Sequence, residues 1–494
     1  MLALTVLVVL ATLASQRPPL EAQSLSLGDE NSWLRVQNVG DKGAAVDITF
    51  YDNNGNRVTA DNCPKAGGCA AIAPGVGWSF FQQGYPGLTN GYRGSAIVKS
   101  DQPFVALLAR DAFKGGQFQI DGDTMRLGRG SSALAFPIVQ NTDSFVSRLT
   151  IQNGSDTAEA CVEIRYWAQA SGTASAIDPP SPSAGCPSGG RLLAPHASIV
   201  RDENSLPVPF GFDGSAQVLT YDSASGSKAT AQTLTGTVDT RERRGPGLGE
   251  KRGITSEEFR QVVSLPLVER NIDAGGQIWN TRFRIMNAKP GTPNEVNLRY
   301  EGTAANGDKI SIDYKTTVVS SLTCDQRSRG TDGCLPSDRD LPPSFAGSVR
   351  IQSTNPIAVV AQRSSSKGAF SDYRGFTVGE AARQVVLPVL DKNFGPFGGS
   401  SGWNSWFRVL SWDGSPAFVR VVYYSRQFPT GQLRDAFSAP DAVTVFQAAD
   451  GNLPDGWVGS AIVISDQPIV VLVGVDSPTF PGDTAMLYNG VGFD

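Results

Sequence analysis

Trp33–Asn38, WLRVQN, decides the fold because it returns three times: RLTIQN at Arg148–Asn153, RFRIMN at Arg282–Asn287 and WFRVLS at Trp406–Ser411. Leu34, Leu149, Phe283 and Phe407 form one apolar column, and Val36, Ile151, Ile285 and Val409 form the next. Arg35, Thr150, Arg284 and Arg408 fall between them and point the other way. A period of two with one apolar face is the mark of a half-buried strand.

Two further landmarks follow each copy in the same order. After 12 or 13 residues comes a second alternating strand, with Val46, Ile48 and Phe50 in the first copy and Val162, Ile164 and Tyr166 in the second. Val296, Leu298 and Tyr300, then Val419, Val421 and Tyr423, complete the set. Asn54-Gly55 after the first of these strands is a two-residue hairpin signal. The third landmark is a Gly-Ser strand: GSAIVKSDQPFVALL from Gly94, GSAQVLTYD from Gly214, GSVRIQSTNPIAVVA from Gly347 and GSAIVISDQPIVVLV from Gly459. These copies lie 120, 133 and 112 residues apart, long enough for each to bury its own core. Pro103, Pro356 and Pro468 start a returning strand, where a missing N–H is tolerated. Later units open on Phe136-Pro137, Leu265-Pro266 and Leu387-Pro388.

These landmarks predict an all-β chain of four tandem antiparallel β-sandwiches, with a loosely closed barrel as the alternative for each unit. The expected boundaries are a leader over 1–22, units over 23–130 and 131–237, a linker over 238–260, and units over 261–382 and 383–494. The linker reading rests on VDTRERRGPGLGEKRGITSEEFR, which is charged and glycine-rich. With 54 Gly, 31 Pro and only 18% charged residues, the composition suits a turn-rich β protein. The net charge of -5 gives no reason to expect nucleic acid.

The apolar run Leu2–Leu13 has the length of a signal-peptide core and is too short to span a bilayer, so we expect secretion or surface display without membrane insertion. Cleavage after Ala14 or Ala22 fits. No Lys or Arg precedes the run, and a buried N-terminal strand is the alternative. Six cysteines fall as close pairs, Cys63 with Cys69, Cys161 with Cys186 and Cys324 with Cys334, and proximity suggests three disulfides.

The order of landmarks resembles tandem immunoglobulin-like and fibronectin-like domains of bacterial exported or surface proteins, a resemblance that covers nearly the whole chain beyond the leader. It implies a spacer, adhesion or assembly role and carries over no functional residue. The antibody Cys-Trp-Cys pattern is absent.

Reactive constellations are few. His196 is the sole histidine, so a histidine-based triad would have to use it. Gly398-Gly399-Ser400-Ser401-Gly402 matches a nucleophile-elbow string but sits in a glycine-rich connector, not between a strand and a helix. No metal set or cofactor motif emerges, and we expect neither; structural calcium at Asp121 and Asp123 is the one option without further support. Aromatics cluster in the fourth unit: Trp403, Trp406, Trp412, Trp457 and Tyr424 are candidate binding residues if they face outward. The expectation is a non-catalytic secreted or cell-surface structural or adhesion protein that meets other extracellular proteins or itself. The alternatives are a glycan-binding protein using those aromatics and a secreted hydrolase using two carboxylates. Edge strands at Ser24–Leu27 or Met486–Tyr488 are expected to join neighbouring molecules.

Overall fold

A computed structural model describes residues 29–493 except 66–68, 115–116, 126–129, 187–189, 222–233, 396–401, 440–441 and 478–480. The chain is all-β with several antiparallel sheets, and its only helices among the described residues are three short 3-10 turns. In the first unit the strand Asp29–Asn38 lies between Gly77–Phe81 and Phe104–Lys114, with Gln117–Met125 outermost. Facing it is a three-stranded sheet of Arg57–Cys63, Val46–Tyr51 and Ser95–Ser100. Leu34, Val36, Val46, Ile48 and Phe50 fill the space between, as the alternating columns require.

The same arrangement recurs with Phe145–Asn153, Gln277–Asn287 and Asn404–Ser411 in the place of Asp29–Asn38. The conserved position of glycine in the third landmark has a steric cause. A Cβ at Gly94, Gly214, Gly347 or Gly459 would collide with the carbonyl oxygen of Tyr51, Trp167, Glu301 or Tyr424, the residue after the inward aromatic of the neighbouring strand.

The later units differ from two separate sheets. Phe345–Ser365 and Trp457–Asp476 are continuous strands that pass from one sheet to the other near Pro356 and Pro468. Their first halves also pair with an opening strand, Arg260–Arg270 or Ala382–Lys392, and Ala133–Asn141 does the same for the second unit. Hydrogen bonding thus joins both layers into one set of nine, eight and ten strands in the third, fourth and second units.

Residues 238–260 are not a linker. They contribute to strands Leu234–Glu242, Leu248–Arg252 and Ile254–Thr255 and to the start of Arg260–Arg270. The stretch reads as solvent-exposed because it is charged, yet Lys251 is 1% exposed. Lys251, Arg241 and Glu250 meet partners from other units, Asp121 and Asp372, Glu30, and Arg110, which local sequence does not reveal.

The four units also do not form an extended string. Gln117–Met125, Leu248–Arg252, Phe370–Arg374 and Ala485–Asn489 are the corresponding closing strands of units one to four, and they pack side by side around one axis. Met486–Tyr488 is therefore buried at the centre and paired with Gly474 and its neighbours; it offers no free edge. Ser24–Leu27 and the leader lie outside the described residues.

Candidate functional site

The axis is polar. The Asp121 carboxylate of the first unit accepts backbone N–H groups from each of the other three: Glu250 at 2.8 Å, Asp372 at 3.4 Å and Leu487 at 3.2 Å. Lys251 Nζ stands 3.3 Å from Asp121 and 3.2 Å from Asp372, and donates to the carbonyls of Gly122, Glu250 and Leu487. Asp123 pairs with Arg374 at 2.9 Å, and Asp483 accepts from Leu248 and Phe370. Asp121 and Asp123, considered above for calcium, thus face a lysine ammonium and an arginine guanidinium. Burial pushes the Asp121 carboxyl well above the ordinary carboxylate range, and nearby Asp372 adds to it. Burial opposes charge on Lys251, but the Asp121 and Asp372 carboxylates outweigh it and hold the ammonium protonated.

Around this hub the outward arginine column closes three seams. Arg35 donates to Pro388 O at 2.6 Å and Gly459 O at 3.1 Å, joining units one and four. Arg408 donates to Pro266 O at 2.7 Å, joining four and three. Arg284 donates to Gly214 O at 2.5 Å and to Asp213 at 2.6 Å, joining three and two. Thr150 holds the fourth place in the column, and there the seam between units two and one opens into a cleft of about 1990 Å³. Ser95–Ser100, Thr150 and Gln152 are among its walls. Deeper in, Glu30 and Arg110 of the first unit meet Arg148, Asp239, Arg241 and Glu250 of the second in a network of ion pairs. Burial raises Glu250 to about 7, whereas Glu30, despite burial, is drawn down to about 2 by Arg241 and its neighbours.

The candidate aromatics are dispersed. Trp457 is 3% exposed and packs edge-on against Tyr423 inside the fourth core. Trp406, 8% exposed, donates to Asp476 and lies near the Arg363 guanidinium, on the seam with the third unit. Trp412 sits on that seam beneath Arg350, which also donates to its carbonyl. Trp403 is half-buried beside Phe118 of the first unit, with ring centroids 5.6 Å apart. Tyr424 is half-buried against the first unit's core, close to Gly75. They form no common outward face: Trp457 lies in its own unit's core, and the other four sit on faces turned toward a neighbouring unit. His196 stacks on Tyr51 at 4.2 Å across the seam of units one and two. Residues 398–401 of the elbow string lie outside the described residues.

All three close cysteine pairs are bonded, Cys63–Cys69, Cys161–Cys186 and Cys324–Cys334. No helix among the described residues is long and apolar enough to cross a membrane. The hub and cleft were missed in the sequence because Asp121, Asp123 and Asp372 have an ordinary strand context; the density of charge in 238–260 was an available signal.

No known protein-family profile matches the chain, and no curated protein does. Among solved structures, the tetra-tandem repeat in the extending region of a large adhesion protein aligns at 11% identity over 93% of each chain, with a TM-score of 0.09. The structure of infectious bursal disease virus Gt strain aligns at 10% identity over 96% of this chain and 87% of that one, with a TM-score of 0.10. Similarities this low carry no argument about fold or role.

Proposed function

We propose that this chain is an extracellular structural protein without catalytic activity, in which four immunoglobulin-like units are locked around an axis as a rigid platform. The observation that carries the reading is the hub: its buried charges are used up in holding the units together. Asp121 alone accepts from three other units, and Lys251 is surrounded by carbonyls and carboxylates. A reactive carboxylate pair needs one member free to face a substrate, whereas Glu30, Asp239 and Asp123 each sit against at least one arginine. The three disulfides support an oxidising compartment. The aromatic positions give the glycan reading little to stand on, because Trp406 and Trp457 are occupied by protein contacts.

The test is fractionation of the natural host with thiol labelling before and after reduction. The reading expects the protein outside the cytoplasm, with six cysteines that react only after reduction. A cytoplasmic protein with freely reactive thiols would overturn it.

A further inference from the structure

The cleft between units one and two has a specific shape. In the other three units the Gly-Ser strand has a neighbour on each side, and one of them is always the opening strand. The register is the same each time. Phe136, Leu265 and Leu387 stand opposite Ala216, Val349 and Ala461, while Leu134, Val263 and Val385 stand opposite Val218, Ile351 and Val463. All twelve side chains are buried to within 1%. In the first unit the matching strand Ser95–Ser100 pairs only with Val46–Tyr51 among the described residues. Ala96 and Val98, the counterparts of those buried columns, are only half-buried and line the cleft with Leu34, Phe50, Phe104 and Leu108.

We propose that this edge is a docking groove for one extended strand of another polypeptide, running antiparallel to Ser95–Ser100. The three internal strands state its chemistry. An apolar side chain faces Val98, and a Leu or Phe two residues later faces Ala96. Proline follows, as in Phe136-Pro137, Leu265-Pro266 and Leu387-Pro388. Continuity with the other seams supports the same occupant, since Arg35 and Arg408 each donate to the carbonyl of that proline in the next opening strand, and Thr150 borders the open place.

The stretch of this chain at the spacing set by the other units does not carry that pattern. Phe136, Leu265 and Leu387 precede Leu149, Phe283 and Phe407 by 13, 18 and 20 residues. Counted back from Leu34, that range is residues 14–21, ASQRPPLE, which holds two prolines and two charges and lacks the apolar-x-Leu/Phe-Pro pattern. A second copy offers no spare strand of this type, because its own three are buried in their units.

The inference goes beyond the structural reading above, which stands even if the groove proves filled. The test uses the full chain as secreted and a synthetic peptide of residues 260–270, RQVVSLPLVER, as the probe. We expect saturable one-to-one binding in fluorescence anisotropy, with amide exchange at residues 95–100 slowed at least tenfold on binding. The same peptide carrying Leu265→Asp binds at least tenfold more weakly, and Val98→Asp in the protein has the same effect. Four results overturn the proposal: no binding at millimolar peptide, binding indifferent to both substitutions, amides at 95–100 already protected in the isolated monomer, or protection that appears only on self-association.

Discussion

Replacing Asp121 with alanine attacks a side chain that touches all four units. The substitution removes the acceptor of three buried backbone N–H groups and one of two carboxylates beside Lys251. Each orphaned buried donor costs about 1–3 kcal/mol. Breaking a buried ion pair costs about 3–5 kcal/mol, less here because Asp372 remains at 3.2 Å from the ammonium. Allowing for relaxation, we expect a loss of roughly 4–6 kcal/mol. The loss should fall on cohesion between the units and not on their individual cores, because the hydrogen-bond partners of Asp121 belong to the other units. Urea unfolding followed by tryptophan fluorescence and by far-ultraviolet dichroism reads this out. The wild type should unfold in one transition by both probes, whereas Asp121→Ala should begin earlier and separate into at least two. A loss under about 1 kcal/mol with a single transition retained would refute the reasoning.

Other expectations follow from the same contacts. Gly347→Ala should destabilise the third unit by about 3 kcal/mol or more in denaturant melts, because the new methyl meets the Glu301 carbonyl. Trp457→Ala should cost about 3–5 kcal/mol as a core cavity without changing any glycan retention on affinity columns. Burial raises Glu250 and Asp391 to about 7, so the folded chain keeps these protons after the unfolded chain has lost them. Stability should therefore fall as pH rises from about 4 to about 7, by an order of 3 kcal/mol for each group, and then level off; melting temperatures between pH 4.5 and 8 check the sign. Replacing both Cys161 and Cys186 with serine opens a loop of 25 residues and should cost about 3.5 kcal/mol, measured against the wild type under non-reducing conditions.

The strand pattern was legible wherever one face of a strand is apolar and the other is not. Leu34 and Val36, like their counterparts, sit where period two places them. The assembly was not legible, for physical reasons that differ from place to place. Arg35, Arg284 and Arg408 read as solvent-facing because a guanidinium normally is, yet their donors satisfy carbonyls of the next unit. Lys251 and its neighbours read as a linker because charge density signals exposure unless a matching set of carboxylates is known to approach. Period two puts Trp406 on the face opposite Phe407 and Val409, and that face abuts the third unit, which the sequence does not reveal. The open edge at Ser95–Ser100 is invisible in one repeat alone, since GSAIV occurs in the first and fourth units alike. It shows only when the neighbours of each copy are compared.

Small-angle scattering of the purified full chain tests closure around the axis most directly. A compact chain of this length has a radius of gyration of about 23 Å, whereas four units in line would give roughly 40 Å. The closed arrangement predicts the smaller value at low and high salt alike, since the hub charges are buried; a value near the larger one would contradict it.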